Sequence, residues 1–152
     1  GDAIAGALAR RLGPIHGPVG GPRYPRIIAQ PGRYMVADAG VLQTEVVLVS
    51  RKSELDERRW VYLDCGKFGG LAEMMDEAIR YRLRTPHDGQ EDGPVTIAGP
   101  TCDSADVLPR PLPLPDNIAA GDYILFDAMG AYTVSSRSPF NGYYPDNWAV
   151  IG

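Results

Sequence analysis

Turns decide what this chain can fold into. Its 18 glycines and 14 prolines fall between short β-rich runs without repeating. Regular elements must therefore be brief and joined tightly. The runs are residues 46–49, continuing a region begun at Val41, then Trp60-Val61-Tyr62-Leu63, Val95-Thr96-Ile97-Ala98 and Tyr123-Ile124-Leu125-Phe126, followed by residues 131–135 and Trp148-Ala149-Val150-Ile151. Apolar, β-branched and aromatic residues dominate them, which suits antiparallel or barrel-like strands. Residues 84–93, with Pro86, Asp88-Gly89 and Asp92-Gly93, read as a loop. Pro109, Pro111, Pro113 and Pro115 lie within seven residues. Locked φ angles and missing donors bar that stretch from a central strand. It reads as a connecting loop, with an extended polyproline ligand as the other option.

Helical spacing is confined to two places. Residues 2–12 carry Asp2 as an N-cap, Ile4, Leu8 and Leu12 four apart, and Arg10 and Arg11 in the last turn, with Gly13-Pro14 as the stop. Residues 70–81 place Leu71, Met74, Met75, Ala78 and Ile79 on one face, as in an amphipathic surface helix. The charges of Glu73, Asp76, Glu77 and Arg80 do not form one stripe. Beyond it Arg80, Arg82 and Arg84 alternate, as on a solvated edge whose like charges discourage strand pairing; an anion or partner site is the second reading. Arg26-Ile27-Ile28-Ala29 differs from every other run: it is continuously apolar, as in a strand buried on both faces of a parallel sheet.

Composition removes several function classes. At 152 residues the chain is one domain's worth. Its net charge of -4 argues against nucleic acid as a partner. No apolar run reaches the length of a membrane span, and the first residues carry no secretory pattern. Two cysteines, Cys65 and Cys102, make no disulfide framework and point to a reducing, cytoplasmic setting. Cys65, beside Asp64 and Gly66, reads as a small apolar residue at a strand end. His16 and His87 are isolated, so no metal is expected.

Three stretches carry chemistry. In Gly99-Pro100-Thr101-Cys102-Asp103 a thiol adjoins a carboxylate just after a strand-like run. In Gly130-Ala131-Tyr132-Thr133 a phenol follows a Gly-Ala turn, and Phe140-Asn141-Gly142 comes next. With Gln30-Pro31-Gly32-Arg33 and Gly66-Lys67-Phe68-Gly69-Gly70 ahead of them, the order resembles the C-terminal half of the fold-type III pyridoxal-phosphate (PLP) decarboxylases, most of all the ornithine/lysine branch. The resemblance implies a mainly β fold: a C-terminal β-barrel or sandwich of the alanine racemase/ornithine decarboxylase type with one specificity helix. The N-terminal helix and strand would be left over from a (β/α)8 barrel. Residues 1–36 would then be the end of a PLP-binding barrel and residues 37–152 the C-terminal β-domain.

The resemblance also assigns roles. Gly32, Arg33 and Tyr132 would hold the cofactor phosphate, and close backbone approach at glycine with a guanidinium beside it suits that task. Cys102 would protonate or position the carbanionic intermediate. Asp103 would grip the distal ammonium of the amino-acid substrate, with Glu77, or in reserve Glu73, as a second carboxylate. Phe140 would form part of the wall. Gln30 departs from the pattern, since the family normally has a glutamate facing the pyridine nitrogen. Glutamine brings no charge there, so a weaker electron sink is expected. Neither Lys52 nor Lys67 matches the Schiff-base lysine. A barrel-containing polypeptide carrying that lysine is therefore expected as a partner, by gene splitting or cleavage of a precursor, together with further copies of this chain in a dimer or larger oligomer. Two other readings stay open: a catalytically impaired decarboxylase-like binding or regulatory protein, and a decarboxylase or epimerase of an unusual amino acid.

Overall fold

The computed structural model describes residues 2–77, 79–108 and 110–151, without the side chains of Asp76 and Glu77. Ala78 and Pro109 of the sequence reading lie outside the described residues. The chain divides into two units, Gly1–Pro31 and Gly32–Gly152.

The first unit holds helix α1 (Asp2–His16), which runs a turn beyond the expected stop and includes Pro14. A proline this near a C-terminus forfeits one bond, to the Arg10 carbonyl, and the last turn still closes through Gly17 N–H to Gly13 O at 2.8 Å. Gly17 then takes φ 85°, the left-handed exit that glycine tolerates. The expected strand at residues 26–29 is absent: the segment forms no ladder, and Ile27 and Ile28 are 45% and 78% exposed. A continuous apolar run becomes a strand only when neighbours satisfy its backbone, and among the described residues it has none.

The second unit is mainly β. Its strands are β1 (Leu42–Ser50), β2 (Arg59–Leu63), β3 (Leu83–Arg84), β4 (Asp92–Ala98), β5 (Leu112–Pro115) and β6 (Tyr123–Phe126), in the order β3-β6-β1-β2-β4-β5. Pairing is antiparallel except between β2 and β4, where Arg59 faces Val95 and Val61 faces Ile97 in parallel. Alternate residues from five strands fill the core: Val46, Val61 and Leu63, Val95 and Ile97, Leu114, Ile124 and Phe126. The sheet curls, because residues beside and within both edge strands, among them Leu83 and Pro113, line one cleft.

The proline-rich stretch contributes β5 where a loop was expected. It pairs on one side only, so the edge position spares Pro113 and Pro115 the donors a central strand would need. Leu83–Arg84 also pairs, against β6, despite the alternating arginines. Asp127 takes Arg84 Nε at 3.0 Å and Nη2 at 2.6 Å, which holds the Arg84 guanidinium above its ordinary pKa and the Asp127 carboxyl below its own. Residues 131–135 and 148–151 are not strands. Tyr132 has φ 59°, which no strand accepts, and Val150 and Ile151 are almost wholly exposed and unpaired.

The expected helix at residues 70–81 is replaced by a π-helical turn (Lys67–Leu71) and a 3-10 segment (Ala72–Glu77). A three-residue repeat explains which apolar residues go inside. Leu71 and Met74 are buried three apart, whereas Met75 is 44% exposed. Among the described residues no helix is long and apolar enough to cross a membrane, and no cluster of ligating side chains could hold a metal ion.

Candidate functional site

Close backbone approach brings Arg33 and Tyr132 together. Arg33 opens the short helix α2 (Arg33–Val36), preceded by Gly32 at φ 49°. The segment after it is bonded to the turn before Tyr132: Gly130 N–H donates to Ala37 O at 2.9 Å and Met129 N–H to Gly40 O at 2.8 Å. A Cβ on Gly130 would lie 1.8 Å from Val36 O, so only glycine allows this contact. Across it the Arg33 guanidinium lies 5.4 Å from the centre of the Tyr132 ring, a cation–π contact. The same guanidinium pairs with Glu73, and its Nη1 lies 3.4 Å from the Tyr81 hydroxyl, which donates to Glu73 Oε2 at 3.0 Å. The Glu73 bond raises the Arg33 pKa, and burial raises that of Tyr81.

The Cys102–Asp103 loop is built around a buried carboxylate that sequence reasoning did not single out. Asp106 is 2% exposed. It accepts from Lys67 N–H at 2.7 Å, from Thr101 N–H at 3.2 Å and from the Thr101 hydroxyl at 2.7 Å. Gly66 and Gly99 lie so close that a Cβ on either would fall 2.2 or 2.3 Å from its oxygens. These contacts hold Cys102 at φ 59° with its thiol exposed. Asp103 caps the following 3-10 turn (Ser104–Asp106), accepting from Ala105 N–H at 2.7 Å. Asn141 donates to Thr101 O at 2.9 Å, and Phe140 stacks on Phe68 with centroids 4.3 Å apart. The Phe140-Asn141-Gly142 element therefore braces this loop.

Both halves hang from one segment, since Lys67 meets Asp106 and the chain then runs through Leu71 to Glu73 beside Arg33. Among the described residues four non-glycines have positive φ: Cys102, Ala128, Tyr132 and Asn141. Three of them lie in the motifs singled out by sequence. Such conformations cost about 1–3 kcal/mol each and collect at functional sites. Gln30 lies in the first unit and is exposed. The Glu77 side chain lies outside the described residues.

The two thiols should behave differently. Burial, with Asp64 and Asp106 nearby, pushes the Cys65 thiol up to about 12. Near pH 8 a thiol-specific reagent should modify Cys102 at once and Cys65 only after denaturation; two equally fast thiols would contradict this placement.

The second unit is thus a curled, mainly antiparallel sheet domain that sets Arg33 against Tyr132 and carries Cys102 and Asp103 on a strained loop. Residues 33–130 match the family model of the pyridoxal-dependent decarboxylase C-terminal sheet domain. The chain belongs to that pyridoxal-dependent family. It is similar to the lysine/ornithine decarboxylase of Selenomonas ruminantium, 36% identical over 76% of this chain and 28% of that protein. It is also similar to the diaminopimelate decarboxylase of Actinosynnema pretiosum subsp. auranticum, 35% identical over 77% of this chain and 26% of the relative. Among solved structures, lysine/ornithine decarboxylase complexed with cadaverine from Vibrio vulnificus superposes with a TM-score of 0.65. That match has 34% identity and covers 74% of this chain and 30% of the other. The chain thus spans under a third of the length of each of these proteins.

Proposed function

We propose that this chain supplies the C-terminal sheet domain of a PLP-dependent decarboxylase of basic amino acids, of the ornithine/lysine type. The pairing of Arg33 with Tyr132 across the Gly130 contact carries this reading. A guanidinium and a nearby phenol are the donors a cofactor phosphate takes, and Gly32 at φ 49° leaves the adjoining backbone approachable. When bound, PLP supplies the electron sink for loss of carbon dioxide. Arg33, Gly32 and Tyr132 bind and orient it by the phosphate. Cys102, with its exposed thiol, holds or delivers a proton at Sγ, and Asp103 meets the distal ammonium of the substrate. Glu77 is the second substrate carboxylate, and Phe140, seated on Phe68, walls the site. Residues 1–36 belong with a barrel that supplies the anchoring lysine, in an oligomer whose sites lie between subunits.

The test uses the complete assembly, barrel included, offered ornithine, lysine, arginine and diaminopimelate. The expected result is release of the matching amine from one of them, with Cys102→Ala lowering kcat about a hundredfold or more. Cofactor absorbance without turnover of any of the four would refute the enzyme reading. Gln30 favours a second reading, a decarboxylase-like binding or regulatory protein, and under it Gln30→Glu should restore measurable turnover.

A further inference from the structure

The family resemblance makes Glu73 a reserve contact for a substrate ammonium, yet in the fold it already has a cation. Its Oε2 is shared by Arg33 Nη2 and the Tyr81 hydroxyl, while Arg33 Nη1 faces the same hydroxyl. Those two outer nitrogens form the edge with which an arginine grips a phosphate in two-point fashion. The Arg33 and Glu73 side chains are 28% and 26% exposed, so an anion from solvent reaches the pair. Tyr132, the other phosphate donor assigned above, lies against the same guanidinium. A phosphate entering here meets a carboxylate of its own sign on the donors it needs.

We infer that Glu73 is a competing internal anion: it occupies the Arg33 fork, and phosphate binds only by displacing it. Glu73 is thereby a tuning residue of the phosphate site and not a substrate contact. Its seat on the 3-10 segment 72–77, whose hydrogen bonds are weaker than those of an α-helix, lets the carboxylate leave at small cost. The inference rests on the assignment of Arg33 to phosphate.

The experiment titrates the full chain with inorganic phosphate, followed by phosphorus NMR line shape, for the native protein, Glu73→Gln and Arg33→Ala. Glu73→Gln keeps an acceptor for Tyr81 and removes the charge, so phosphate affinity should rise about fivefold. A residue that merely supported the structure would lower affinity when changed. Glu73→Ala should gain similarly, so either folded variant suffices. Unchanged or weaker binding in the folded variant, or no phosphate bound by any form, overturns the inference. Arg33→Ala separates the two assignments. Phosphate binding that ignores Arg33 removes the phosphate-site reading itself; binding that needs Arg33 but ignores the charge at residue 73 sinks the competition alone.

Discussion

Asp106→Ala should cost this chain about 3 kcal/mol or more of stability, read as a lower denaturant midpoint with an unchanged slope. The carboxylate is buried and accepts two backbone N–H groups and a hydroxyl. Removing it leaves the Lys67 and Thr101 amides without partners, at about 1–3 kcal/mol for each. Asp106→Asn fills the same space between Gly66 and Gly99 but turns an amide NH2 toward N–H donors, so it should fall between the two. The loss should also reach the site: without its anchor the Thr101–Cys102 turn has no reason to hold φ 59° at Cys102. Thiol labelling of Cys102 should change in rate before global unfolding. A midpoint within experimental scatter of the native value would mean that the loop is held by Asn141 and the 3-10 turn alone.

Gly130→Ala should be the second most damaging change and should uncouple Arg33 from Tyr132. The new methyl would lie 1.8 Å from Val36 O, and a backbone oxygen cannot rotate away as a side chain can. The segments must part, losing the bonds from Gly130 to Ala37 and from Met129 to Gly40. Overpacking of this kind costs about 1–3 kcal/mol and occasionally more. At about 2–4 °C per kcal/mol for a domain of this size, Tm should fall by about 2–12 °C. In the complete assembly cofactor affinity should drop with it. Full affinity in a folded Gly130→Ala protein would show that the Arg33–Tyr132 contact is incidental to phosphate binding.

Much of the sheet was legible because its strands are short and bounded by turn residues. Tyr123–Phe126 is found where the apolar run places it, and the runs at 60–63 and 95–98 extend only toward their N-termini. Three misreadings share one cause. Apolar composition at residues 26–29, 131–135 and 148–151 cannot report whether a neighbouring strand exists to take the backbone bonds. For 131–135 the left-handed turn at Tyr132 also intervenes. The opposite error at residues 112–115 arose because proline excludes a central strand but not an edge. The helix expected over 70–81 failed because apolar spacing of three and four fits a 3-10 segment as well as an α-helix.

For the candidate site, the family resemblance carried by the order of the motifs singled out Arg33, Cys102, Asp103 and Tyr132, whose guanidinium, thiol, carboxylate and phenol are properties of single side chains. Asp106 and Tyr81 carried no such signal: an aspartate two residues from a serine, or a tyrosine after an arginine, is ordinary in any loop. Their importance comes from whom they meet at a sequence distance of 39 residues for Asp106 and Lys67, and of 48 for Arg33 and Tyr81. The order of turns and reactive side chains was thus written in the chain itself, and with it the family. Which backbone passes within van der Waals distance of Gly130, which carboxylate is sealed beneath the Cys102 loop, and which anion already sits on Arg33 were decided by tertiary packing, because burial and charge pairing exist only once distant segments share a volume.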